Sequence, residues 1–109
     1  MGLERMTPEA AELISRRFRA LSDPTRLRIL YELRERGELS VGELTEALGT
    51  SQQNVSKHLS TLSSEGFIGR RKDKTRALYS ISDKSVLDLC ERVCSGIETQ
   101  ISEIESLLA

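Results

Sequence analysis

Apolar residues recur at helical spacing along most of the chain, and helix start and stop signals fall in the gaps between the periodic stretches. Thr7 followed by Pro8 opens a first helix whose apolar stripe is Ala10, Ile14, Phe18 and Leu21. Asp23 and Pro24 repeat the signal before Leu27, Ile29, Leu30 and Leu33, a buried face that runs until Gly37. Ser40 with Glu43 forms a capping box ahead of a short helix carrying Val41, Leu44 and Leu48 and ending at Gly49. Ser51 caps a fourth helix, with Val55, Leu59 and Leu62 on one side and Gly66 at its end. The period then changes. Phe67 to Arg71 and Ala77 to Ile81 read as strands around the polar stretch Lys72, Asp73, Lys74 and Thr75. Asp83 caps a last helix reaching about Leu108, roughly 37 Å at 1.5 Å per residue.

Two short amphipathic helices joined by a Gly-containing turn, with a basic hairpin directly after them, predict a winged helix-turn-helix. The fold class expected is mainly α with a β-hairpin wing, in the order α-α-α-α-β-β-α. In the last helix Leu87, Cys90, Cys94, Ile97, Ile101, Ile104 and Leu108 are spaced alternately three and four apart, an a/d seam longer than one small domain can cover. A homodimer burying the first and last helices is therefore expected. Packing within one chain is the competing account.

The 109 residues fit one domain, 1–109, and no apolar run is long enough to span a bilayer. The N-terminal residues show no signal-peptide pattern, so a cytoplasmic location with reduced thiols is expected. With one histidine, His58, and no nucleophile–base pair or phosphate-cradling glycine loop, catalysis is not expected. Net charge is −1, but its distribution is uneven. Between Ser51 and Arg76, six basic residues face Glu65 and Asp73, giving +4 there and leaving −5 for the rest. Such a segment can attract a polyanion while the whole chain remains weakly acidic.

Opposite the apolar face of the fourth helix lie Gln53, Asn54, Lys57, Ser60 and Thr61, with Ser56 and His58 at the boundary. Gln and Asn can pair with adenine edges, Lys with guanine, and Ser with either bases or phosphate. In the hairpin, Arg70, Arg71, Lys72, Lys74 and Arg76 are candidates for phosphate and minor-groove contact. The expected partner is double-stranded DNA. The alternative is a winged-helix protein–protein adaptor, in which the basic window would be incidental.

The segments LSDPTRLRIL (21–30), SQQNVSKHLSTL (51–62) and GFIGRRKDKTRALYSI (66–81) resemble the ArsR/SmtB family of winged-helix repressors, over about Leu13 to Ile97. The resemblance implies a homodimer joined through its first and last helices, a fourth helix that reads an inverted-repeat operator, and release from DNA when an effector binds. It places Gln53, Ser56, Lys57 and His58 at the family's contact positions. The chain departs from the metal-sensing members. Leu39 to Leu44 lack the cysteine pair of their third helix, and of Asp83, Ser85, Gly96 and Thr99 only Asp83 could be a ligand. Neither of those metal sites can form, and no resident cofactor is expected.

Cys90 and Cys94 remain, one turn apart on the seam. Two readings stay open for them. They can act as an effector or redox site, through a thiolate-bound metal or metalloid or through oxidants and reactive sulfur, or they can pack as small apolar side chains.

Overall fold

The computed structural model describes residues 5–109; residues 1–4, at the start of the segment read for a signal peptide, lie outside that range. Five helices and a small sheet follow in the order α1 (Pro8–Leu21), α2 (Pro24–Arg36), β1 (Leu39–Ser40), α3 (Val41–Leu48), α4 (Gln52–Ser64), β2 (Ile68–Asp73), β3 (Arg76–Ile81) and α5 (Ser85–Leu108). This is a winged helix-turn-helix.

The helix boundaries rest on the local signals. Thr7 Oγ1 accepts from the Ala10 N–H at 3.1 Å, and Asp23 Oδ1 accepts from Thr25 and Arg26 at 2.8 and 3.1 Å. Ser40 and Glu43 satisfy each other's backbone N–H at 3.0 and 3.2 Å, the reciprocal capping box. Gly49 ends α3 in the left-handed region at φ 70°, where a Cβ would be strained. The turn between α3 and α4 is held from α2 as well, because Arg28 Nη1 donates to the Leu48 carbonyl at 3.3 Å. At α5 the expected cap moves: Lys84 holds the N-cap position with no side-chain cap, and Asp83, one residue earlier, accepts from the Ser85 N–H at 3.0 Å.

Ile29, Leu30 and Leu33 of α2 form the centre of the core, with Leu44 and Leu48 of α3, Val55, Leu59 and Leu62 of α4, and Phe67, Ile68 and Val86 closing it. One expected core position differs: Leu27 is 42% exposed, because its side of α2 turns away from this cluster. Phe18, on the α1 stripe expected at the homodimer seam, is 54% exposed in the single chain.

The sheet carries a strand not expected from the sequence. Leu39 and Ser40 pair with Tyr79 and Leu78, so the strand order is β1-β3-β2. The hairpin ladder also runs further than expected, to Asp73 opposite Arg76, leaving Lys74 and Thr75 as a two-residue tip with Lys74 at φ 58°.

Only the first turns of α5 touch the body. Val86 is buried and Leu87, Leu89 and Cys90 are half-buried, whereas Cys94, Ile97, Ile101, Ile104 and Leu108 are exposed. Packing within one chain therefore does not cover the seam. Phe18, Leu27 and Tyr31 face Val93 and Ile97 across an open groove of about 730 Å³. No described helix is long and apolar enough to cross a membrane.

Candidate nucleic-acid interface

With Val55, Leu59 and Leu62 held in the core, α4 presents Gln52, Gln53, Ser56, Lys57 and Ser60 to solvent, and these five line one shallow trough of about 470 Å³. Ser60 also borders a second trough, of about 450 Å³, that continues past Ser63 and Ser64 to Arg70 and Tyr79 of the wing. Short hydrogen-bonding side chains thus lead from the start of α4 to the base of the hairpin. The first turn of α4 holds no acidic residue, so the positive end of its dipole is uncompensated.

Gln52, Ser63 and Ser64 were not among the residues expected from the sequence. The spacing of Gln52, Ser56, Ser60 and Ser63, four, four and three apart, was a signal that could have found two of them. Asn54 is half-buried, and its side-chain amide donates to Thr50 Oγ1 at 3.1 Å, inside the turn between α3 and α4. Thr61 Oγ1 donates to the Lys57 carbonyl at 3.4 Å.

The expectation that His58 contacts DNA is corrected. It is 6% exposed, lying under α4 between Asp23 and Arg26 rather than on the outer face. Burial pushes its pKa below the ordinary value, an effect that Arg26 and Lys57 reinforce and Asp23 opposes.

The wing has two electrostatic faces. Cross-strand partners share a face, so Arg71 lies with Leu78 while Arg70 lies with Tyr79 and Lys72 with Ala77 on the other side. On the Leu78 side, Arg71 donates to both carboxylate oxygens of Glu38 at 2.7 and 2.8 Å, and Arg76 stands 3.8 Å from Glu43. The hydrogen bonds from Arg71 hold the Glu38 pKa below its ordinary range and raise that of Arg71. Among the described residues, Arg70, Lys72, Lys74 and Lys57 have no ion-pair partner. Uncompensated positive charge therefore lies on the α4 face, beside the wing and at its tip.

Cys90 is half-buried, and burial raises its pKa. Cys94 is exposed, with Sγ 3.6 Å from Glu98 Oε1, and that carboxylate raises its pKa too. Among the described residues no three His, Cys, Asp or Glu side chains are grouped to hold a metal.

The profile of the bacterial regulatory protein arsR family matches residues 23–69, from the Asp23 cap to the first strand of the wing. A probable mercury resistance operon repressor of Streptomyces lividans is 45% identical over 75 residues, which span 69% of this chain and 59% of that protein. The arsenical resistance operon repressor of Bacillus subtilis is 32% identical over 93 residues, 84% of this chain and 89% of that one. Among solved structures, a homodimeric winged helix-turn-helix DNA-binding domain from Mycobacterium bovis superposes with a TM-score of 0.76 at 28% identity, covering 90% of both chains.

Proposed function

The chain belongs to the arsR family of bacterial regulatory proteins, and from that premise we propose that two copies, paired through α1 and α5, repress transcription by occupying an inverted-repeat operator. It is a transcriptional regulator of the winged-helix class. In the proposed complex α4 of each protomer enters the major groove, with Gln53, Ser56, Lys57 and Ser60, joined by Gln52, offered to base edges. Arg70, Lys72 and Lys74 follow the phosphates, while Arg71 and Arg76 are held back by Glu38 and Glu43. Asn54 supports the turn, and His58 acts from beneath the helix.

The observation that carries this reading is the pair of troughs along α4 that meet at Ser60, bordered by Lys57 and Arg70, which no carboxylate among the described residues pairs. A protein–protein adaptor would leave that charge without a use. Pairing of two copies is supported by the apolar side chains that one chain leaves in water, among them Ile97, Ile101 and Ile104 of α5.

For Cys90 and Cys94 we favour packing in the seam over sensing. Thiolate is the reactive and metal-binding form, and both sites disfavour it.

Enrichment of duplexes from a random-sequence pool tests the proposal. The expected product is a twofold-symmetric site with half-sites separated by one helical turn, about 10 base pairs, or a multiple of it. Enrichment without symmetry, or none at all, overturns it.

A further inference from the structure

The DNA-reading face of α4 accounts for its outer residues but not for its one buried polar side chain, His58. The guanidinium of Arg26, on α2, joins three elements. Its Nε donates to the Ala20 carbonyl and its Nη2 to the Arg19 carbonyl at 3.1 Å, two of the last carbonyls of α1, of which that of Arg19 also accepts from the Ser22 N–H at 3.1 Å. Its Nη1 lies 3.0 Å from Nδ1 of His58. A guanidinium only donates, so Nδ1 is the acceptor and the imidazole is neutral, with its proton on Nε2, 3.9 Å from Asp23 Oδ1. Asp23 in turn caps α2 by accepting from the N–H of Arg26 itself. A second tie joins the same two helices further along, where Arg16 Nε meets Glu65 Oε2 at 3.2 Å, just past the end of α4.

We infer that Arg26 is a positioning residue for DNA reading: through His58 it locks α4 to the end of α1, so that pairing of two copies through α1 fixes where the two reading helices stand. This rests on the proposed function, because it assumes that α4 reads bases and α1 lies at the dimer seam. Two donors seat the planar guanidinium on the end of α1 and the third holds α4 to it at His58, while the Arg16–Glu65 tie limits rotation about that point. A lysine, with a single ammonium, cannot span the three acceptors. His58 contributes an acceptor at Nδ1, not a charge. In Asn the side-chain oxygen sits close to where Nδ1 sits, whereas Leu fills the space with no acceptor.

The experiment compares the wild type with Arg26→Lys, Arg26→Met, His58→Asn, His58→Leu and the Arg26→Met, His58→Leu double variant. Each full-length chain is titrated against the duplex enriched by the wild type and against a scrambled duplex of equal length. Arg26→Lys, Arg26→Met and His58→Leu should each lower the ratio of the two affinities by about tenfold, the double variant no further, and His58→Asn by less than about threefold. Scrambled-duplex affinity and dimer sedimentation should stay unchanged.

A DNA-free arm separates failure of this inference from failure of the function. At neutral pH, nitrogen NMR of wild-type His58 should show the Nε2–H tautomer, and amide hydrogen exchange in α4 should quicken in Arg26→Met and not in His58→Asn. Lowering the pH should reproduce the loosening in the wild type, since an imidazolium facing Arg26 and Lys57 has, among the described residues, Asp23 alone to oppose them. Slow exchange in Arg26→Met, additive losses in the double variant, or equal losses on both duplexes would overturn the inference. A wild type that enriches no symmetric duplex, yet shows the coupled exchange, would sink the proposed function and leave the linkage standing.

Discussion

Arg71 and Glu38 form a two-pronged ion pair, 2.7 and 2.8 Å, that ties the middle of the wing to the residue just before β1. The sequence offers Arg71 as one of five wing cations to DNA; the pair occupies it with a carboxylate instead, Arg71 staying exposed and Glu38 half-buried. An exposed pair of this kind contributes little to stability. Its consequence is electrostatic: it decides which face of the hairpin is positive.

Glu38→Gln should therefore free Arg71 without unfolding the wing. Each phosphate contact adds about 0.9 to the slope of log affinity against log salt, so the slope should steepen by up to about that amount. Lys72→Ala with Lys74→Ala should flatten it by up to about 2, equally on all sequences. Titrations on one duplex across a salt series read both changes; an unchanged slope in the double variant would place the wing off the phosphates.

Gln53→Ala and Lys57→Ala should act differently. Each bidentate base contact contributes about 1–3 kcal/mol of discrimination, so the ratio of operator to scrambled-duplex affinity should fall. For Gln53, which carries no charge, the salt slope should hold. Equal losses on both duplexes would move Gln53 from base reading to backbone contact.

How much of this was legible beforehand follows from the range of each interaction. The caps at Thr7, Asp23, Ser40 and Ser51 are made within three residues, so spacing alone reveals them. β1 is two residues long, too short for an alternating pattern, and exists only because β3 runs alongside it. Arg71 meets Glu38 across 33 positions, and nothing near either residue announces the other. His58 fell at the edge of the helical wheel, a position compatible with either face. Arg26, arriving from α2 across 32 positions, drew it inside. The cationic wing was visible as composition, but its two-faced charge was not, because that depends on which strand face Glu38 and Glu43 approach.

The capping box of α3 gives a stability prediction. Ser40→Ala removes the acceptor for the Glu43 N–H and should cost about 1 kcal/mol in denaturant unfolding at neutral pH. The backbone N–H of Ser40 holds the Glu43 carboxyl below its ordinary value of 4.5. A depressed carboxyl pKa means that the unfolded chain takes up the proton first as pH falls. The contribution is thus complete above 4.5 and is lost as pH drops through the lower folded value. Glu43→Gln should flatten this part of the acid limb.

If Cys90 and Cys94 pack rather than sense, replacing both by Ser should leave the response of the DNA complex to arsenite or a persulfide unchanged. Cys90→Ser should also lower stability modestly, since it places a hydroxyl at a half-buried apolar site. Release by either reagent in the wild type and not in the double variant would restore the sensing reading.

Ile101 tests the pairing of two copies. It is 50% exposed in one chain, midway between Ile97 and Ile104 on the α5 stripe, beyond the last residue of α5 that is even half-buried. A twofold dimer uses the same stripe on both copies, so Ile101→Lys puts an ammonium group on each side of an apolar seam. Folding within one chain should survive, because nothing in the core depends on this side chain. Sedimentation should then show a monomer with helical circular dichroism retained. A duplex carrying both half-sites should lose its advantage over one carrying a single half-site, while single half-site affinity stays near wild type. A variant that still sediments as a dimer would move the interface off this stripe, and with it the account of why α5 projects so far from the body.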